Sequence, residues 1–213
     1  MKTDELVTML AAGAGPVEPG ATSRRYALAL LWGVFGTTLL MALGLGVRPD
    51  MAAAVRLPMF WMKLAFPACL AVGALYAAVR LSQPGVRLGR VPAALAAPVL
   101  AMWLLAAFVL ARAAADAREE LIFGDTWSVC PLLVALLSLP LFVAALWAMK
   151  GLAPTRLALA GVAAGLLAGS VAALIYALHC QEMQAPFLAL WYLLGMLIPA
   201  AAGAVIGPLL LRW

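Results

Sequence analysis

Apolar residues fall along this chain in six long blocks, at about 26–47, 58–80, 92–112, 127–149, 156–178 and 186–211, with the turn formers and most charges between them. Arg48-Pro49-Asp50 closes the first block, Ser82-Gln83-Pro84-Gly85 the second, Ala115-Asp116-Ala117-Arg118-Glu119-Glu120 the third, and Lys150-Gly151 with Pro154 the fourth. Blocks of this length match a hydrocarbon layer ~30 Å thick at a rise of ~1.5 Å per residue. Lipid offers backbone N–H and C=O groups no partners, so each block predicts a spanning helix. The expected fold is all-α: a polytopic six-transmembrane-helix bundle over residues 26–213, preceded by a short amphipathic N-terminal helix. Gly161, Gly165 and Gly169 in the fifth block, with Gly203 and Gly207 in the sixth, have the four-residue spacing that brings helix backbones close, either within the bundle or along a homodimer seam. Pro140 and Pro199 inside spans predict local kinks.

Residues 1–25 read as a separate tail. Thr3 as a cap, Asp4 and Glu5 at the positive end of a helix dipole, and Leu6, Met9 and Leu10 on one face predict a helix over residues 1–10. The glycines and prolines between Ala11 and Ser23 predict a linker. A signal peptide is not expected, because Pro16, Pro19 and Gly20 stand where its apolar run after Lys2 belongs. A helix of about ten residues is marginal alone, so this one needs a surface to fold on, whether lipid or a partner.

Composition fixes the class. The chain is 67% hydrophobic and 11% charged with mean hydropathy +1.07, against ~45–50% apolar in soluble domains, and is read as an integral membrane protein. Its net charge of +5 comes from scattered basic residues without a stripe of interleaved aromatics, so no direct nucleic-acid contact is expected. The basic residues instead set orientation. With a cytoplasmic tail, the inner side holds nine (Lys2, Arg24, Arg25, Arg80, Arg87, Arg90, Lys150, Arg156 and Arg212) and the outer side five (Arg48, Arg56, Lys63, Arg112 and Arg118). Both termini are therefore expected in the cytoplasm, with Trp61 and Trp127 in the outer aromatic belt and Trp147 and Trp213 in the inner one. Lys63, close to the outer end of its span, is expected to snorkel.

The sharpest chemistry is the polar interruption Leu178-His179-Cys180-Gln181-Glu182-Met183, which holds the chain's single histidine. A second cysteine, Cys130, precedes Pro131 at the start of the fourth span, where the helix dipole favours a thiolate, and Cys130 is expected to be the readier of the two. The topology places both at the outer side. Three cysteines without a CxxC exclude a zinc ribbon or a thioredoxin-type dithiol. Three readings stay open for the pair: a Cys130–Cys180 disulfide, a thiophilic metal site (zinc or heavier) completed by His179 and Glu182 or Met183, or inert boundary cysteines. Cys69 is expected to be a small core residue. No Ser-His-Asp set, phosphate loop, HExxH motif or mid-membrane charge is present, so no enzyme and no obligatory cofactor is expected.

The opening Met1-Lys2-Thr3-Asp4-Glu5-Leu6-Val7, Cys130 ahead of the fourth span, and His179-Cys180-Gln181-Glu182-Met183-Gln184-Ala185-Pro186-Phe187 leading into Leu190-Trp191-Tyr192 resemble the NrsF-type membrane anti-sigma factors. The resemblance implies an inner-membrane protein that sequesters an extracytoplasmic-function sigma factor. It also implies that Cys130 and Cys180 take part in sensing heavy-metal or redox stress, with release of the sigma factor as the output. Asp4, Leu6, Val7, Met9 and Leu10 become the candidate sigma-binding residues. The alternative from the residues alone is a small metal or solute transporter of the inner membrane, which the missing mid-membrane polar groups disfavour.

Overall fold

In the computed structural model residues 3–13 and 20–212 are described, and all their regular structure is helical. Lys2, the linker positions 14–19 with Pro16, Glu18 and Pro19, and Trp213 lie outside the described residues. The elements are α1 (Thr3–Gly13), α2 (Ala21–Gly44), α3 (Met51–Ala54), α4 (Pro58–Leu81), α5 (Val91–Arg112), α6 (Ala117–Phe123), α7 (Cys130–Lys150), α8 (Leu157–Tyr176), α9 (Ala185–Phe187), a π-helical turn (Leu188–Tyr192) and α10 (Leu193–Leu210). Helices α2, α4, α5, α7, α8 and the continuous run 185–210 are long and apolar enough to cross a membrane. Prolines open α4, α5, α7 and α9 within their first two positions, where a missing N–H costs nothing.

α8 is the axis of the bundle. It packs against α10, α4 and α7, and its face of alanine and glycine leaves almost no solvent-facing surface. A Cβ on Gly161 would fall on the carbonyl of Gly203, and one on Gly165 on that of Pro199. The glycine spacing thus serves close approach of α8 and α10 inside the bundle, not a homodimer seam. A second close approach joins α2 to α7, where Gly33 lies against Leu141 and Gly36 against Pro140. Thr37 Oγ1 donates to the Leu137 carbonyl across this contact at 3.0 Å. α5 is peripheral, with only Val91, Met102 and Ala106 buried.

The spans lie where the apolar blocks predict them, with local differences. α2 begins five residues earlier than its apolar block, because Gly20, at φ 84°, ends the preceding chain and its carbonyl accepts from Ser23 Oγ at 2.8 Å. Thr3 is the first residue of α1 and not its cap, and α1 continues to Gly13. Two short helices, α3 and α6, form in connections read as plain turns. The even number of spans puts the start of α2, loops 82–90 and 151–156 and the C terminus at one end, called here the near end. Loops 45–57, 113–129 and 177–184 share the far end.

Candidate functional site

The far-end connection 177–184 is a strap that the other far-end segments grip. It leaves α8 on two tight bonds, His179 N–H and Cys180 N–H both donating to the Tyr176 carbonyl at 2.9 Å. Its own carbonyls then face inward, where water cannot reach them and a buried acceptor needs a donor. Arg48 N–H donates to Leu178 O at 3.0 Å, and Arg48 Nη1 to Cys180 O at 3.2 Å. Lys63 Nζ donates to Cys180 O and to Glu182 O, each at 2.7 Å. His179 Nδ1 faces the Gly46 carbonyl at 3.0 Å, an acceptor only, so the ring proton sits on Nδ1.

The third far-end segment is tied by Glu182. Its Oε1 accepts from Asp125 N–H at 2.9 Å and from Thr126 Oγ1 at 3.3 Å. Gly124, at φ 52°, lies directly over this carboxylate, and a Cβ there would stand 2.7 Å from Glu182 Oε2. Trp191 Nε1 donates to Ile122 O at 2.8 Å and stacks with Phe123 and Trp127, while Trp103 Nε1 reaches from α5 to Ala189 O at 3.1 Å. The π-helical turn that follows the strap is thereby fixed to α5 and α6.

Under the strap lie the two thiols. Cys130, at the start of α7, and Cys180 are both buried free cysteines whose side chains lie against each other. Tyr176 lies against Cys130 and Tyr192 against Cys180, with the two rings 5.9 Å apart. The buried Tyr192 hydroxyl has no hydrogen-bond partner among the described residues, although the Cys180 thiol is a near neighbour. Lys63 Nζ stands 5.2 Å from the centre of the Tyr192 ring, a cation–π distance.

Two cations thus converge on the strap, one of them paired with Asp50. Asp50 takes Arg48 Nε and Nη2 at 2.7 Å each in a two-pronged pair. These bonds, first of all, raise the Arg48 pKa and hold the Asp50 carboxyl below its ordinary range. Lys63 is 0% exposed and forms no ion pair among the described residues. It turns inward and does not snorkel, because the strap supplies it with two carbonyls. Contact with the Cys130 thiol first, and then the positive field of Lys63, hold the Cys180 pKa below the usual thiol range. The Cys130 backbone N–H is given to Thr126 O at 2.9 Å.

Of the four candidate sensing residues, the fold brings Cys130 and Cys180 together and holds His179 and Glu182 apart from them, each in a structural bond. Among the described residues no group of three or more His, Cys, Asp or Glu is placed to hold a metal ion. What the geometry offers is a dithiol that can close to a disulfide or give two soft ligands to one ion. Cys69 is exposed on the flank of α4 and is not a core residue. The candidate sigma-binding residues Asp4, Leu6, Val7, Met9 and Leu10 are all exposed on α1, which leads into the near end. Sequence reasoning missed Lys63, Arg48, Tyr176 and Tyr192 as parts of the site. A signal for Lys63 was present, as a basic residue one turn inside an apolar span.

Fold and site together define a six-span helical membrane protein with a buried dithiol centre. The chain belongs to the NrsF family, described as negative regulator of sigma F, which matches residues 10–213. It is 59% identical, over the whole of both chains, to the probable anti-sigma-F factor NrsF of Azospira oryzae. It is 41% identical, again over the whole of both, to the anti-sigma-F factor NrsF of Caulobacter vibrioides. No solved structure matches the chain.

Proposed function

We propose that this chain is an anti-sigma factor of the bacterial inner membrane, with both termini in the cytoplasm. It sequesters an extracytoplasmic-function sigma factor through α1 and releases it when the Cys130–Cys180 pair reacts on the outer side. It acts as a regulator and not as an enzyme, without an obligatory cofactor and without direct contact to nucleic acid. Family membership supports the output. The observation that carries the input is the contact of two buried thiols from different elements, α7 and the 177–184 strap.

Two inputs fit that pair. With a disulfide oxidant, both thiols lose their protons and one electron each, the Cys130–Cys180 bond forms, and the oxidant leaves as two thiols. With a thiophilic ion such as zinc, both thiols lose protons and bind the ion. Either event pulls the strap toward α7. At the other end, α1 presents Leu6 (39%), Val7 (59%), Met9 (64%) and Leu10 (66%) as an exposed apolar surface behind an acidic first turn. That is the form of a helix that docks in a groove. A hundredfold loss of sigma affinity requires about 2.7 kcal/mol of coupling between the two ends.

The test is capture of the sigma factor by the full-length protein in vesicles. Leu6→Asp with Leu10→Asp abolishes capture, while Cys130→Ser and Cys180→Ser retain it but no longer release under zinc or oxidant. Sigma capture unchanged by the α1 substitutions sinks the docking assignment. Cysteine-dependent uptake of zinc by the same vesicles, without sigma capture, supports the transporter instead.

A further inference from the structure

The flank formed by α2 and α7 carries a polar recess continuous with an apolar groove. At the near end, Arg24, Arg25 and Trp147 line a recess of 270 Å³. Leu28 and Trp147 are shared with a groove of 410 Å³ that runs on past Trp32 and Val143 to Pro140. From Trp147 to Pro140 the groove spans about 10 Å at ~1.5 Å per residue, most of the ~15 Å depth of one leaflet. Its walls face outward from the bundle, with Trp32 66%, Val143 65% and Trp147 55% exposed, so whatever fills it comes from the lipid side.

The recess is built for an anion. Arg25 lies with its guanidinium 5.5 Å from the centre of the Trp147 ring. It also rests on Gly151, where any Cβ would collide with the guanidinium, so the absence of a side chain there admits it. Neither Arg24 nor Arg25 forms an ion pair among the described residues, and the near-end segments 20–25, 80–90, 150–156 and 211–212 contain no acidic residue. Two guanidinium groups with no paired carboxylate among the described residues, above an apolar groove that opens to lipid, match a phosphate headgroup above an acyl chain.

We propose that the α2–α7 cleft binds one anionic phospholipid, its headgroup between Arg24 and Arg25 and one acyl chain in the groove down to Pro140. The site stands at the root of the N-terminal tail, and it does not depend on the sigma-binding assignment. A zwitterionic lipid fills the groove equally well but brings no net charge to the two arginines, so the cleft selects by headgroup.

The experiment is native mass spectrometry of the full-length protein titrated with phosphatidylglycerol or with phosphatidylcholine of identical chains. The expected result is a single retained phosphatidylglycerol, bound about tenfold or more tightly than phosphatidylcholine, since each basic residue at an anionic surface contributes about a fivefold factor. Arg24→Gln with Arg25→Gln lowers phosphatidylglycerol to the phosphatidylcholine level. Arg87→Gln with Arg90→Gln removes the same charge from the same end and leaves the adduct intact. Ala144→Trp fills the groove and lowers both lipids. Equal affinity for the two lipids, or equal loss in the two double variants, overturns the proposal in favour of diffuse charge. Full retention of phosphatidylglycerol in Ala144→Trp overturns the acyl-chain assignment.

Discussion

Replacing Lys63 by methionine removes both donors that the α4 cation gives to the 177–184 strap while keeping a side chain of similar length in its buried position. Cys180 O keeps Arg48 Nη1 at 3.2 Å, but Glu182 O loses the donor the structure gives it at 2.7 Å. A hydrogen bond to a charged group is worth ~1.5–3 kcal/mol and a buried orphaned carbonyl costs ~1–3 kcal/mol, so opening of the strap becomes easier by about 2 kcal/mol, or roughly thirtyfold. Global stability moves much less, because the variant also escapes the cost of burying an ammonium group. Amide hydrogen exchange separates the two effects. In bilayer discs, residues 178–184 of Lys63→Met exchange tens of times faster than in the wild type, while α8 residues 161–173 keep their protection. Unchanged exchange in the strap, or equal acceleration in α8, refutes the reasoning that Lys63 holds the strap and not the bundle.

Three further outcomes follow from the same geometry. Gly165→Leu drives a side chain into the Pro199 carbonyl and parts α8 from α10, so it lowers resistance to unfolding in denaturing detergent by about 2 kcal/mol or more, read from the midpoint shift. The Arg48–Asp50 pair is a depressed-carboxylate case: its stabilisation is present at neutral pH and is lost only as pH falls below the ordinary carboxylate range. Protection of the amides at residues 46–50, measured against their intrinsic exchange rate at each pH, therefore falls on acidification, and Asp50→Asn removes that dependence. Cys180 alkylation by a small reagent levels off at lower pH than for an ordinary thiol near ~8.5. Cys130→Ala shifts that profile upward, and Cys130→Ser, which keeps a donor, shifts it less.

The bundle was legible because its rules are one-dimensional. Run length gave the spans, Pro131 marked the start of the fourth, and the spacing of Gly161, Gly165, Gly203 and Gly207 gave a close helix contact. What that spacing could not say was whether the contact lay inside the chain or between copies, which depends on the rotation of α8 about its axis. The site was legible in part. Cys130 and Cys180 meet because α7 and α8 are consecutive, antiparallel and in contact. The environment that orders their reactivity was hidden. A lysine one turn inside a span can reach out to water or turn inward, and only the three-dimensional placement of the Cys180 and Glu182 carbonyls decides it. Dipole reasoning favoured Cys130 as thiolate from its helix position. The groups that lower the Cys180 pKa are Cys130 first and then Lys63, whose side chain reaches the strap from 117 positions away.

The central claim, that the state of the dithiol at one end governs what α1 holds at the other, is tested most directly by sigma-factor retention on vesicles bearing the full-length protein before and after oxidation. The wild type is expected to lose affinity on the order of a hundredfold, about 2.7 kcal/mol, and Cys130→Ser and Cys180→Ser to lose none. Equal release from the wild type and both variants, or retention by the wild type after the Cys130–Cys180 disulfide has formed, contradicts it.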